Sequence, residues 1–185
     1  MLKDAYKEAE ARMKTTVQSL EGELSGIRTG RASPALVERL HVEYYGSPTP
    51  LIQLASISVP ESRSLVIRPF DATSLKAIER AIQASDLGLT PNNDGKVIRL
   101  NLPPLTEERR RELVKLVHHR AEDSRVVMRN IRRDSIKDLR EFEEEKLISE
   151  DDLEEGEEEL QKITDRYIED INDTSQRKEK EIMEV

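Results

Sequence analysis

The sequence predicts an α+β protein: an elongated three-helix bundle into which a small mixed domain, a β-sheet with one helix, is inserted. Two observations predict this class. All eight prolines lie between Pro34 and Pro104, and since proline breaks the interior of a helix, only the flanking segments can form long helices. In those flanks apolar residues recur in steps of three and four, as on one helix face, whereas in the middle they alternate as in a strand.

The division of the chain follows from the proline-rich segment. The bundle is expected to comprise residues 1–30 and 105–185, and the inserted domain residues 31–104. The chain then crosses between the two domains twice, near residues 29–34 and 102–105, and two short neighbouring crossings predict a hinge. With 3% aromatic and 37% charged residues, the chain favours thin helical layers with large exposed faces over one thick core.

The bundle helices can be placed by their apolar stripes and end signals. The first helix is expected to end where Gly26 and Gly30 stand. Its stripe consists of Ala9, Met13, Val17 (or Thr16), Leu20, Leu24 and Ile27. The second helix has Thr106 as its expected N-cap. The last begins at Ser149, where Asp152 is close to a capping box, and runs to near Val185. Three helices that each carry one narrow apolar face can cover one another as a bundle.

The inserted domain is expected to be a small mixed sheet with one helix. The predicted strands are residues 40–45, 54–59, 64–68 and 97–102, and the predicted helix is residues 74–82. Gly46-Ser47-Pro48 is expected to end the first strand, and Asn93-Asp94-Gly95 to form a turn before the last. Tyr44 and Tyr45 alternate across the first strand, so one is expected in the core and the other exposed.

Charge is distributed unevenly along the chain. The net charge is −8, yet residues 109–133 carry nine basic residues against three acidic ones, whereas residues 134–185 carry eight against twenty-one. An acidic protein with one basic stripe does not bind polyanions everywhere, because its positive surface is local and bounded by repulsion. The stripe therefore predicts one defined surface for a polyanion.

Four arginines of this stripe share one side of the second bundle helix, namely Arg125, Arg129, Arg132 and Arg133. At 100° per residue they form a solvent-facing surface about 120° from the apolar stripe. The guanidinium fork suits phosphate oxygens, and since no aromatic residue interleaves, contacts to the backbone of folded RNA are expected rather than base stacking. One alternative stays open: helix arginines often pair with acids of a neighbouring helix, and the last helix is very acidic.

Composition and spacing also argue against several chemistries. Without cysteine, disulfides, thiolate metal sites and cysteine nucleophiles are excluded. The adjacent His118 and His119 point to different sides of a helix, so they cannot bind one metal. The acidic runs lack the spaced ligands and central glycine of a calcium loop, and there is no glycine-rich phosphate loop. We therefore expect no catalytic residue, no metal and no cofactor, and a protein that is not an enzyme.

Membrane insertion and export are not expected either. No apolar run approaches the roughly 20 residues of a membrane helix, and residues 1–6 lack the apolar region of a signal peptide. The sequence predicts a soluble protein of the cytosol.

Five motifs resemble the ribosome recycling factor family. They are residues 27–34 (Ile-Arg-Thr-Gly-Arg-Ala-Ser-Pro), 42–46 (Val-Glu-Tyr-Tyr-Gly), 85–89 (Ser-Asp-Leu-Gly-Leu), 103–110 (Pro-Pro-Leu-Thr-Glu-Glu-Arg-Arg) and 129–133 (Arg-Asn-Ile-Arg-Arg). Each motif alone is weak, but together, in order along the whole chain, they are highly specific. The two crossings inferred from proline placement coincide with the two-domain, L-shaped plan of that family.

The resemblance implies a translation factor of the bacterial or organelle type. Such a factor binds the post-termination ribosome at the subunit interface and, with elongation factor G and GTP, splits it into subunits. Initiation factor 3 then helps to keep the subunits apart. Elongation factor G supplies the GTPase, so the factor itself needs no nucleotide site. A cytoplasmic location and a monomeric state are the matching expectations.

The resemblance also implies site residues. In the family the helical domain contacts large-subunit ribosomal RNA through basic residues, which correspond here to Arg129, Arg132, Arg133, Arg28 and Arg31. Arg132 is the residue expected to matter most. Arg125 joins them through its position on the same helix face. The hinge candidates are Thr29, Gly30, Ala32, Pro103 and Pro104.

Two other function classes compete with this one. A helical adaptor or chaperone-like interaction protein would use the acidic end of the bundle for a protein partner, but it has no need for clustered arginines away from its core. A hydrolase housed in the inserted domain is disfavoured because no convergent catalytic set is present. The acidic run after Phe142 is longer than the resemblance leads us to expect, and we assign it no function.

Overall fold

The computed structural model describes residues 1–184, which form helices and two small antiparallel sheets. In chain order the elements are α1 (Leu2–Ser25), β1 (His41–Tyr44), β2 (Ser47–Pro50), β3 (Ala55–Glu61), β4 (Ser64–Pro69), α2 (Leu75–Ala84), β5 (Pro91–Asn93), β6 (Ile98–Asn101), α3 (Glu107–Glu144) and α4 (Glu150–Met183). Short 3₁₀ turns cover Pro34–Leu36, Leu51–Gln53 and Ala72–Ser74. The predicted α+β class is confirmed.

The chain divides into two compact units. The first comprises Met1–Leu24 and Glu112–Glu181, and the second Ser25–Arg111 with the residues from Ile182 onward. The domain boundaries predicted near residues 30 and 104 both lie within the second unit, and they stay a prediction.

Helices α1, α3 and α4 build the first unit around their apolar stripes. The predicted stripe of α1 is buried from Ala9 to Leu24, and the helix ends at Ser25, directly before Gly26. The buried positions of α3 are Leu113, Val117, Ala121, Met128, Ile131, Ser135 and Leu139. Polar contacts also link each pair of helices, such as Arg12–Asp134, Tyr167–Glu10 and Arg140–Glu157. The three narrow apolar faces therefore cover one another as the sequence predicted.

Both predicted N-caps of the long helices are confirmed. The backbone N–H of Arg109 donates to Oγ1 of Thr106 at 3.2 Å, at the start of α3. At the start of α4 the N–H of Asp152 donates to Oγ of Ser149 at 3.1 Å, and the N–H of Ser149 donates back to the Asp152 carboxylate at 3.0 Å. This reciprocal pair satisfies two N–H groups that would otherwise lack an intrahelical acceptor.

A glycine within α4 lets the three helices approach closely. Gly156 is buried, and a Cβ at this position would lie 2.7 Å from Cδ1 of Leu139 on α3 and 3.3 Å from the Tyr6 hydroxyl on α1. Real Cβ atoms do not approach another carbon to 2.7 Å. The absence of a side chain at residue 156 therefore makes room for Leu139.

The second unit contains a hairpin, β1–β2, and a four-stranded sheet of order β3-β4-β6-β5. All of its pairings are antiparallel. Helix α2 packs against β1, and its Ile78 and Ile82 belong to one buried cluster with Leu65, Ile67 and Leu100 of the larger sheet. The four predicted strands and the predicted helix are confirmed within one or two residues at each end.

The structure corrects the sequence prediction at β2. The first strand ends at Tyr44, before Gly46-Ser47-Pro48 as predicted, but Ser47 and Pro48 belong to a further strand that was not predicted. This strand, Ser47–Pro50, pairs with β1 although two of its residues are prolines. Pro48 lies opposite Glu43 and Pro50 opposite His41. Tyr44 and Ser47 close the two-residue turn as a hydrogen-bonded pair, and hydrogen-bonded and non-hydrogen-bonded pairs alternate from there. Pro48 and Pro50 therefore occupy positions that form no backbone hydrogen bond with β1. The missing N–H groups therefore cost the ladder nothing.

The turn of this hairpin holds Tyr45 in an unfavourable backbone conformation. Tyr45 has φ 48° and Gly46 φ 76°, the two positive values of a type I′ turn. The Tyr45 side chain is 83% exposed, with its ring centroid 4.5 Å from that of Tyr44. Tyr44 is half-buried and donates its hydroxyl proton to Asp71 at 3.2 Å. Bulky residues rarely adopt a positive φ, whereas asparagine does so far more readily.

We expect Tyr45→Asn to be more stable than Tyr45→Ala by about 1 kcal/mol, because both variants lose the ring but only asparagine tolerates the left-handed region. Urea unfolding followed by the NMR amide signals of the second unit, residues 25–111, measures the difference. The same pair of substitutions at Glu43, an exposed residue in β1, is the control and should show no advantage for asparagine. An alanine variant as stable as the asparagine variant would contradict the assignment of backbone strain.

Candidate nucleic-acid interface

The four arginines predicted to share one face lie in the middle of α3. We refer to Arg125, Arg129, Arg132 and Arg133 as the basic face. Arg133 is exposed and forms no hydrogen bond or ion pair with any residue between 1 and 184. Its guanidinium is therefore fully available to an anionic partner.

One carboxylate holds two of the arginines side by side. Glu122, one turn before Arg125, accepts hydrogen bonds from Nε of Arg125 and Nη2 of Arg129, each at 2.8 Å. The bonds from Arg129 and then Arg125 lower the pKa of the Glu122 carboxyl below its ordinary value. Glu122 is therefore ionised at neutral pH and balances one of the four positive charges.

The other two contacts of the basic face reach across to α4, and both partners are neutral amides. Nη1 of Arg132 donates to Oε1 of Gln161, and Nη1 of Arg125 donates to Oδ1 of Asn172 at 2.7 Å. An amide oxygen accepts a hydrogen bond without carrying charge. The two guanidinium groups are thus anchored on α4 while their charges stay uncompensated there.

Carboxylates face α3 on either side of these amides. Arg140 is bonded to Glu157 at 2.9 Å, and His118 lies 3.0 Å from Glu179. The alternative in which arginines of α3 pair with the acids of α4 is therefore correct for Arg140. It is wrong for the contacts that Arg125 and Arg132 make with α4.

The prediction that the basic face points wholly into solvent is wrong at one edge. The Arg125 side chain is 25% exposed, and Nε of Arg132 is buried without a hydrogen-bond partner among the described residues. These two arginines lie nearest the apolar stripe on the helix surface, at about 100–120° from Leu113. A neighbouring helix covers that border, and its position cannot be read from the rotation of α3 alone.

The two remaining arginines expected to bind RNA belong to the second unit. Arg28 donates a hydrogen bond from Nη2 to the carbonyl oxygen of Pro103. Burial, followed by the nearby charge of Arg109, lowers the pKa of the Arg28 guanidinium, which still stays protonated at neutral pH. Arg31 is exposed and forms no hydrogen bond or ion pair within residues 1–184. Arg28 therefore has a structural contact, whereas Arg31 is free for a partner.

The hinge candidates lie in two segments that the Arg28–Pro103 bond links. Gly30 has φ 86°, a left-handed conformation that favours glycine. The N–H of Ala32 donates to the carbonyl oxygen of Ser62 at 2.7 Å. Pro103 and Pro104 contribute no N–H group. Leu102, next to Pro103, donates its N–H to the carbonyl oxygen of Arg63 at 2.8 Å, so both segments are tied to the turn between β3 and β4.

Sequence reasoning missed Gln161 and Asn172 as members of the site. In α4 fourteen of 34 residues are Asp or Glu, and only three are amides, with Gln176 as the third. Because amides are so scarce in this acidic helix, their presence in the sequence could have marked them as candidate members of the site. Which of them face the arginines depends on the register of α3 against α4.

Neither a metal centre nor a membrane span is found in the part of the chain described. Residues 1–184 contain no cluster of three or more His, Asp or Glu side chains that could hold a metal ion. No helix within the same range is long and apolar enough to cross a membrane.

Comparison with known proteins gives one consistent result. The family model for ribosome recycling factor matches residues 20–183. A ribosome-recycling factor of Chloroflexus aurantiacus is 58% identical over 185 residues, and one of Syntrophomonas wolfei is 56% identical; both alignments cover the whole of both chains.

Solved structures agree with the sequence relatives. A solution structure of ribosome recycling factor superimposes with a TM-score of 0.80 at 51% identity, covering 100% of this chain and 98% of that one. A second, with TM-score 0.69, 46% identity and complete coverage of both chains, is described among models for the T. thermophilus ribosome recycling factor and the E. coli elongation factor G bound to the E. coli post-termination complex. On its sequence and its fold, this chain belongs to the ribosome recycling factor family.

Proposed function

We propose that this chain splits the post-termination ribosome into subunits together with elongation factor G and GTP, and that its basic face docks on ribosomal RNA of the large subunit. The observation that carries the docking surface is the charge balance of that face. Within residues 1–184 its four guanidinium groups are hydrogen-bonded to a single carboxylate, that of Glu122, and its anchors on α4 are neutral amides. Such a surface attracts a polyanion even though the protein as a whole is acidic.

The chemistry of the face favours the RNA backbone over the bases. Arginine binds phosphate oxygens through two parallel N–H groups, and no aromatic residue lies among the four arginines of α3 on which a base could stack. Exposed Arg31 of the second unit adds a further positive charge to the docking, and Arg28 contributes by holding its own segment to Pro103. Docking of this kind weakens as salt rises.

The hinge residues would let the inserted domain move while the bundle stays docked. In this proposal residues 29–34 and 102–105 change conformation when elongation factor G acts, and the long helices transmit the force. The left-handed Gly30 and the consecutive Pro103 and Pro104 support such a hinge, because these three residues lie outside the helices and strands.

The proposed partners follow from the relatives. A ribosome recycling factor of the same fold is described with elongation factor G on a post-termination complex, which supports the ribosome and elongation factor G as partners of this chain. The GTPase activity is supplied by elongation factor G, and initiation factor 3 acts afterwards in the same pathway. The protein is expected to work as a monomer in the cytoplasm, where its ribosomes are.

Light scattering from post-termination ribosomes tests the function directly. Splitting lowers the scattered intensity, and we expect a fall only when this protein, elongation factor G and GTP are all present. A known ribosome recycling factor with its matched elongation factor G serves as the control. If that control works and this chain produces no fall, the splitting function is refuted and the helical-adaptor alternative regains weight.

A further inference from the structure

We propose that Gln161 of α4 is a positioning residue that orients Arg132 for docking while leaving its charge uncompensated, an inference that rests on the proposed RNA-binding role of the basic face. Three observations carry it: the bond from Arg132 to Gln161, the second bond that fixes the amide, and the chemistry of the neighbouring contacts between α3 and α4.

The amide of Gln161 is held from both sides. Its Oε1 accepts from Nη1 of Arg132, and its Nε2 donates to Oδ1 of Asp165 at 2.7 Å. The carboxylate of Asp165 can only accept, and the guanidinium can only donate. The two neighbours therefore determine which end of the amide faces Arg132, and they fix the amide in one orientation.

This anchoring leaves most of the Arg132 guanidinium uncommitted. Gln161 is its one hydrogen-bond partner among the described residues, and its buried Nε has none. A guanidinium has five N–H donors. One bond thus restricts the conformations of a long, flexible side chain, and the remaining donors of the two Nη nitrogens stay available for phosphate oxygens. Pre-ordering of this kind lowers the entropic cost of binding.

The neutrality of the anchor stands out against its surroundings. Fourteen of the 34 residues of α4 are acidic, and the α4 partners of Arg140 and His118 are the carboxylates of Glu157 and Glu179. A glutamate at residue 161 would form a similar ion pair with Arg132 and would oppose an incoming phosphate. Asn172, which lies further along α4, repeats the neutral arrangement by anchoring Arg125.

The decisive variant is Gln161→Glu, measured by binding of the full-length protein to purified large ribosomal subunits over a series of salt concentrations. We expect docking to weaken about tenfold near physiological salt, with the slope of log Kd against log salt smaller by about one, because one phosphate contact is lost. Gln176→Glu makes the same chemical change on the same helix at an exposed residue with no partner within residues 1–184. This control should change Kd less than twofold.

Gln161→Met separates orientation from charge. It keeps the length of the side chain but cannot accept the hydrogen bond, so docking should weaken about two- to threefold with an unchanged salt slope. In an Arg132→Ala background neither change at residue 161 should have a further effect, because the group it orients is gone. Thermal unfolding of each variant shows whether the fold is intact.

Each outcome bears on one claim. If Arg132→Ala weakens docking and Gln161→Glu does not, the positioning role is refuted and the proposed function stands. An equal loss for Gln161→Glu and Gln176→Glu would also refute it, because the effect would then come from the charge of α4 as a whole. If Arg132→Ala docks as well as the unaltered protein, the RNA-binding role of the basic face fails, and the positioning role with it.

Discussion

Replacement of Arg132 by alanine is expected to weaken docking on the large ribosomal subunit by about ten- to a hundredfold, the range for losing a charge-assisted hydrogen-bond contact. The same variant should lose less than about 1 kcal/mol of stability, because a half-buried guanidinium with a single neutral partner contributes little. Its buried Nε has no hydrogen-bond partner in the described structure, so removing this group also relieves an unsatisfied donor. Binding titrations and thermal unfolding measure the two quantities on one preparation.

Arg140→Ala is the matched control for this prediction. Arg140 lies on the same helix, two turns beyond Arg132, but its charge is already paired with Glu157 at 2.9 Å. Its removal should change the docking affinity less than threefold, since it contributes little net positive charge. A loss of several kcal/mol of stability in Arg132→Ala would refute a surface-binding role for Arg132 (such losses mark residues of the core).

The largest effect on stability is expected for Leu139→Ala, at about 2–5 kcal/mol, the range for truncating a buried leucine. Leu139 is fully buried, and its Cδ1 occupies the space above Gly156 where α3 meets α4. Urea unfolding followed by circular dichroism at the helix band reports on the first unit, since α1, α3 and α4 contain most of the helical residues.

The effect of Gly156→Ala on the free energy of unfolding should depend on which residue stands at position 139. In a helix interior alanine is favoured over glycine by about 1 kcal/mol. In the unaltered protein the new Cβ would lie 2.7 Å from Leu139, and overpacking of this kind costs about 1–3 kcal/mol. We therefore expect no gain or a net loss there, but a gain of about 1 kcal/mol in the Leu139→Ala background.

This double-mutant cycle has a clear contrary result. If Gly156→Ala changes the stability equally in both backgrounds, the two residues are not energetically coupled. The contact between a Cβ at residue 156 and Leu139 would then not be the reason for glycine at this position. Because the chain has two compact units, the cycle is read from the helical transition alone and not from a single global midpoint.

The long helices were predictable because their determinants are local. The stripe of α1, the Thr106 cap and the Ser149–Asp152 pair lie within one or a few turns of sequence. The strands β2 and β5 were not predicted. Each contains proline, and proline indicates a loop unless the register of the partner strand is known. Register is a tertiary property, which the residues of one strand do not contain.

The same distinction applies to the candidate site. The rotation of α3 was enough to group Arg125, Arg129, Arg132 and Arg133, since that grouping depends on one helix only. The anchors Gln161 and Asn172 required the antiparallel alignment of α3 with α4. The charge pattern of α4 alone does not show which of its polar residues contact α3.

The prolines of β2 have a consequence for the protein among other chains. In an antiparallel ladder, residues that form no bond with the partner strand direct their N–H groups to the open side. In β2 those positions are Pro48 and Pro50, so the outer edge of the hairpin offers carbonyl oxygens but no donors there. A foreign strand cannot pair with such an edge in the usual two-way manner. The β2 edge of the hairpin is thereby protected from edge-to-edge aggregation, even in the crowded setting in which translation factors act.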